Sequence, residues 1–220
     1  MNRPRVSRRE AAFMIGVALA WAVLLLFHPK GEGDQVYLDI QDRVTAMLAV
    51  HIGMMIFIPL IAAGIYLLLR GIEGAAATVS RIALAPFVVF FSAWETLQGT
   101  ANGILTNELN GRPEDERQSG AALIQDFAES PLARDLGVFA TIGSVAILVA
   151  SIAAGIALRR HAGAPFSVPV LLGLFGFLIA AHPPPFGPVA LVCFAVAVFI
   201  VWRSQPAALA TAGASRPRSA

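Results

Sequence analysis

Long apolar runs dominate the chain, separated by short clusters of arginine, acid, glycine and proline. With about 20 residues for one bilayer crossing, six segments stand out as spans. They run Ala11–Phe27, Ala46–Leu69, Ile82–Ile104, Leu136–Leu158, Phe166–Ala181 and Val189–Trp202. The first, fifth and sixth are short. The stiff turn His182-Pro183-Pro184-Pro185-Phe186-Gly187-Pro188 joins the last two into a helical hairpin; a re-entrant hairpin with four full spans is the alternative. The expected fold is all-α, a polytopic membrane helix bundle of six transmembrane helices over residues 11–203. A basic segment, 1–10, precedes it. An Ala/Ser/Pro/Arg-rich tail, 204–220, has the composition of a disordered segment.

Arginine positions orient these spans. With the N-terminus in the cytoplasm, Arg3, Arg5, Arg8, Arg9, Arg70, Arg81, Arg159, Arg160, Arg203, Arg216 and Arg218 all fall inside. Lys30, Arg43, Arg112, Arg117 and Arg134 fall outside, together with most of the acids. Both termini are then cytoplasmic. The basic start before an apolar run resembles a secretory signal, but Phe27-His28-Pro29-Lys30 offers no small-x-small cleavage site, so the run reads as an uncleaved first span. Two long connections lie outside. One carries Tyr37-Leu38-Asp39-Ile40, an amphipathic piece. The other is acidic at Glu114-Asp115-Glu116, then places Leu123, Ile124 and Phe127 on one face of an interfacial helix. Ser130-Pro131 fits an N-cap and first-turn pair opening the fourth span.

Composition agrees with a membrane chain: 57% of residues are hydrophobic, 14% are charged, and the mean hydropathy is +0.71. The strong alanine and arginine usage points to a bacterial cell membrane. Cys193 is the single cysteine, which excludes CxxC thiol chemistry, and Lys30, the single lysine, lies outside every span, which excludes an intramembrane Schiff base. No phosphate-cradling glycine loop, HExxH or GxSxG motif occurs. No basic-aromatic surface suggests nucleic acid, and no motif requires a cofactor.

Glu95 is the residue that most needs an explanation, because an ionised carboxylate at that depth must face protein or water. Ser92, Gln98, Gly99 and Asn102 share its helical face, giving the third span a polar stripe toward its outer end. His51, in the outer half of the second span, and His182, at the outer turn, lie at a similar level. Glu95, Gln98, Asn102, His51 and His182 are therefore the candidate ligand- or proton-binding set. Imidazole with carboxylate suits a proton relay or a divalent metal; helix-to-helix hydrogen bonding is the structural alternative. His28 reads as an interfacial residue beside a proline. His51 with Met54 and Met55 on one face is a weaker metal or haem candidate, since methionine also fills apolar gaps. Gly143, Ala146, Ala150, Ala153 and Ala157 form a small-residue strip suited to close helix packing, within the chain or against another copy or membrane subunit.

These features leave three function classes: a small proton- or cation-coupled transporter with an outward cavity at Glu95, a membrane haem or metal redox protein, and a non-catalytic subunit or scaffold. The topology has a direct test. In a background lacking Cys193, cysteines placed at Ser119 and Ser215 should be labelled by an impermeant maleimide from opposite sides of the membrane. Labelling of both from one side overturns the six-span arrangement.

Overall fold

The computed structural model describes residues 6–29 and 35–205, so the basic arm before Val6 and the tail beyond Gln205 lie outside the described residues. Eight helices are present among the described residues, and no strand. They are α1 (Arg8–Leu25), α2 (Val36–Ile40), α3 (Val44–Leu68), α4 (Ala75–Asn110), α5 (Glu114–Ala128), α6 (Val138–Ala162), α7 (Ser167–Ala181) and α8 (Phe186–Arg203). Four of them, α3, α4, α6 and α8, are long and apolar enough to cross a membrane. The single 18-residue stretch of α1 contains Arg8, Arg9 and Glu10, and α7 is shorter.

Neighbours in sequence are neighbours in space. Helix α1 packs on α3, α3 on α4, α4 on α6, α6 on α7, α7 on α8, and α8 returns to α1, closing a ring of six. Successive members alternate in direction, joined by short turns between α3 and α4, α6 and α7, and α7 and α8, and by longer connections that carry α2 and α5. The end of α1, the start of α3, the end of α4, the start of α6, the end of α7 and the start of α8 therefore share one end of the bundle. Phe87, Phe91, Phe175, Phe194, Met14, Met54 and Ile58 fill the middle, each fully buried.

Boundaries differ from expectation for identifiable reasons. Ser7 caps α1 four residues before the apolar run, in a capping box with Glu10. The hydrogen-bonded Ser7 backbone holds the Glu10 carboxyl below its ordinary value, and Glu10 also pairs with Arg70 at 2.6 Å. Helix α8 starts inside the proline-rich turn, because Pro188 falls in its first turn, where no backbone N–H is needed. Ser130-Pro131 does not open α6. Ser130 closes a local turn on Ala133, Pro131 accepts the Val138 N–H at 2.9 Å, and α6 begins only after Gly137.

Helix α4 is much longer than its apolar core. Helix α4 has 36 residues, about 54 Å at 1.5 Å per residue. That exceeds the roughly 30 Å hydrocarbon thickness by several turns. The overhang carries a cap made of α2 and α5. Tyr37 donates to Asn110 at 2.9 Å, Asn110 donates to the Gln41 carbonyl at 2.8 Å, and Gln125 accepts the Val36 N–H at 2.9 Å.

At the opposite end, arginines close the helix ends. Arg81 donates to the Leu69 and Ile72 carbonyls, both at 2.7 Å, and Arg159 donates to the Ala164 carbonyl at 3.0 Å.

The small-residue strip of α6 lies inside the chain. Gly143 meets the Phe91 backbone of α4, Gly155 meets Pro169 of α7, and the Ala150 carbonyl accepts the Ser80 hydroxyl at 2.8 Å. A methyl group built on Gly143 would sit 2.7 Å from the Phe91 nitrogen, whereas one on Gly173 has its nearest neighbour at 3.9 Å. Gly143→Ala should therefore lower stability by about 1–3 kcal/mol, while Gly173→Ala should be neutral or raise it by up to about 1 kcal/mol. Thermal melting in detergent reads the contrast; equal effects would show that the α4–α6 crossing is not this close.

Candidate metal centre

At the end of the bundle opposite the arginines, four polar side chains from four ring positions converge. His28 arrives on a loosened turn that continues α1, with the N–H groups of Leu26, Phe27 and His28 bonded three residues back. His51 lies two turns into α3. His182 follows the last, tightened turn of α7, where Gly187 lets the backbone fold back: any side chain there would run into the His182 carbonyl.

Glu95 sits between two π-helical segments of α4, Phe87–Phe91 and Thr96–Ala101. The first follows Pro86, which removes one rung of the helical ladder. The second begins where the Thr96 hydroxyl takes the Ser92 carbonyl at 2.7 Å. Within it, Gly99 presses on the His51 ring so closely that a methyl group would overlap the imidazole.

The three imidazoles each place a ligand nitrogen within 4.8 Å of the others. His28 Nε2 and His182 Nε2 are 3.1 Å apart. Nitrogens shared by one tetrahedral zinc-sized ion at its usual bond lengths stand about 3.3 Å apart. Glu95 reaches two of the three rings, with Oε2 3.6 Å from His51 Nε2 and Oε1 3.4 Å from His182 Nδ1.

Hydrogen bonds set the tautomers. His28 Nδ1 donates to the Pro29 carbonyl at 2.7 Å, and His51 Nδ1 donates to the Met47 carbonyl at 2.8 Å. A carbonyl only accepts, so each Nδ1 carries the proton and each neutral ring turns an Nε2 lone pair inward. Burial holds the His28 imidazole below its ordinary value, against the raising effect of the Pro29 hydrogen bond, which keeps that lone pair free at neutral pH. Glu95 Oε1 and His182 Nδ1, both fully buried, make no hydrogen bond with protein atoms. An outer N–H fixed on a carbonyl or carboxylate is the usual support of a metal-ligating histidine; His28 and His51 have such a carbonyl, and His182 Nδ1 has the Glu95 carboxyl 3.4 Å away.

A cavity of about 850 Å³ opens from this cluster. Gln98, Asp135, Thr141 and Ser144 add polar lining. Partial burial raises the Asp135 carboxyl above its ordinary value. Phe91 and Trp94 stand edge-on to His182, at centroid distances of 6.3 and 5.3 Å, and form the floor.

Of the residues singled out from sequence, His51, Glu95, His182 and Gln98 line this cavity together. Gln98 also pins the cap, donating to the Ala128 and Ala133 carbonyls at 2.9 and 2.8 Å. Asn102 is buried one turn further along and donates to Gln98 at 3.2 Å. Met54 is buried in the core; Met55 faces outward toward the Thr96 and Thr100 hydroxyls. Neither lines the cavity, whereas Met47 does. His28, Asp135 and Gly99 were not among the sequence candidates. For His28 the available signal was its place on the same side of the membrane as His51 and His182.

No protein-family model, curated protein or solved structure matches this chain.

The contact between Gly99 and His51 has a measurable consequence. Gly99→Ala should destabilise the protein by about 1–3 kcal/mol through overpacking. In the double variant with His51→Ala, the coupling should recover most of that loss. Additive effects in thermal melts would show that the ring and the helix do not touch.

Proposed function

We propose that this chain is a six-span membrane protein whose three-histidine cluster holds a divalent transition metal, of the zinc type, at the outer face. The observation that carries the reading is the convergence of His28, His51 and His182, with the His28 and His51 tautomers set by backbone carbonyls and Glu95 beside His51 and His182. Neutral imidazoles with a carboxylate suit zinc and its neighbours. Three rings arriving from different sides suit a bare ion better than haem, whose plane takes protein ligands on only two faces.

The arginine bias supports placing the cluster outside and both termini in the cytoplasm. In that arrangement α1 and α7 complete the six spans, both held as full members of the ring.

The position of the cluster favours ligand chemistry over permeation. Beneath it, Phe87, Phe91, Met54 and Phe175 pack the interior, while the cavity lies at the site end. Three protein nitrogens would leave a zinc-type ion one ligand short of four, the ligand count of an open, catalytic-type site. A metal there would polarise a carbonyl or lower the pKa of a bound water. Glu95 would hold His182 in its ligating tautomer, and Asp135, at the rim, is placed to accept a proton.

The test is metal content. Protein purified from zinc-supplemented cells should carry about one zinc per chain. Glu95→Gln should weaken binding about 10–100-fold. His51→Ala or His182→Ala should weaken it more. Unchanged, substoichiometric metal in all four proteins would overturn the reading.

A further inference from the structure

The cavity does not lead only upward from the bundle end. Its lining descends from Leu136, just before α6, along that helix through Ala140, Thr141 and Ser144 to Val145, and returns along α7 through Ala180 and Ala181 to His182. Val145 is seven residues inside the start of α6, and His51 is seven residues inside the start of α3. Each is therefore about 10 Å below its helix start. The side wall reaches the level of the imidazoles, inside the bilayer depth that a six-span arrangement implies.

That wall is open to the outside. Leu136 is 88% exposed, Val145 54% and Phe186 52%, and all three line the cavity. Val145 stands at the level of the imidazoles, and Leu136 and Phe186 stand above it at the helix starts; on a membrane protein such apolar faces meet lipid. Lower down, α6 and α7 close on each other, with Gly155 against Pro169 and Gly176 against Leu148 and Ser151. The opening is thus a window in the outer half, polar at its inner end and apolar at its rim.

Resting on the metal reading above, we infer that the centre's ligand is a single-chain amphiphile of the outer leaflet. It enters through this window with an oxygen-donor head toward the histidines and its hydrocarbon chain left along Val145 and Leu136. A soluble ligand would have no use for an apolar rim at bilayer depth. An amphiphile needs both ends of the gradient: polar groups at the centre, and an exit for the chain that avoids water.

Alkyl hydroxamates, which chelate metals through two oxygens, test this on cobalt-loaded protein in lipid nanodiscs. The visible spectrum of cobalt reports first whether the centre forms, then whether the probe reaches it. Octanohydroxamate should bind at least about tenfold tighter than acetohydroxamate, a modest part of the roughly fourfold that each fully buried methylene can contribute. Val145→Trp, which narrows the window, should remove that preference and leave acetohydroxamate binding unchanged. Thr141→Phe, on the same wall, provides a second variant should Val145→Trp fail to load cobalt.

Absence of a histidine-type cobalt spectrum in the wild type overturns the metal reading and this inference with it. A normal spectrum with equal affinity for both probes, or a preference that both window variants retain, overturns the amphiphile alone and points to a ligand arriving from the aqueous side.

Discussion

A carboxylate buried at bilayer depth has to be neutralised, paired or hydrogen-bonded, because hydrocarbon offers it nothing. Glu95 is placed against two imidazoles, Oε2 3.6 Å from His51 and Oε1 3.4 Å from His182, and the arrangement of the site end follows from that placement. His182 has to be carried inward past the end of α7, which requires a glycine at 187. His51 has to lie flat on α4, which requires a glycine at 99. The π segments flank Glu95, and the second carries Gly99, so α4 presents both the carboxylate and the glycine to His51.

The two ends of the bundle are built for different tasks. At the arginine end, guanidinium groups donate to the carbonyls of Leu69, Ile72 and Ala164, closing helix termini with long, always-charged side chains. At the other end the helix termini are capped by protein elements instead. The overhang of α4 and the helices α2 and α5 make a roof held by Tyr37, Gln98, Asn110 and Gln125. A roof resting on side-chain hydrogen bonds leaves a cavity beneath it; a packed apolar end would not. The same Gln98 that lines the cavity anchors the roof through two carbonyls, so the site and its cover share a support.

The apolar middle also serves the site. Phe91 packs against Gly143 of α6 and meets both His182 and Trp94 in T-shaped contacts. The close α4–α6 crossing therefore sets the floor of the cluster. Small residues on α6 act at a distance of one side chain from the imidazoles.

The helical class, the membrane environment and the places of the main spans were legible in the chain, because long apolar runs admit few other structures in or out of a bilayer. Glu95, His51 and His182 were legible as candidates for the same reason: polar groups are conspicuous where hydrocarbon is the rule. The partners were not. His28 resembles any histidine beside a proline at a membrane surface until the ring closure of α1 against α8 brings it 3.1 Å from His182. The second π segment of α4, the overhang that supports the roof and the lateral window depend on how neighbouring helices seat against one another. No run of hydropathy encodes that. Periodicity reports which residues avoid water, whereas the meeting of four polar groups from residues 28, 51, 95 and 182 is set by helix packing across the whole length of the chain.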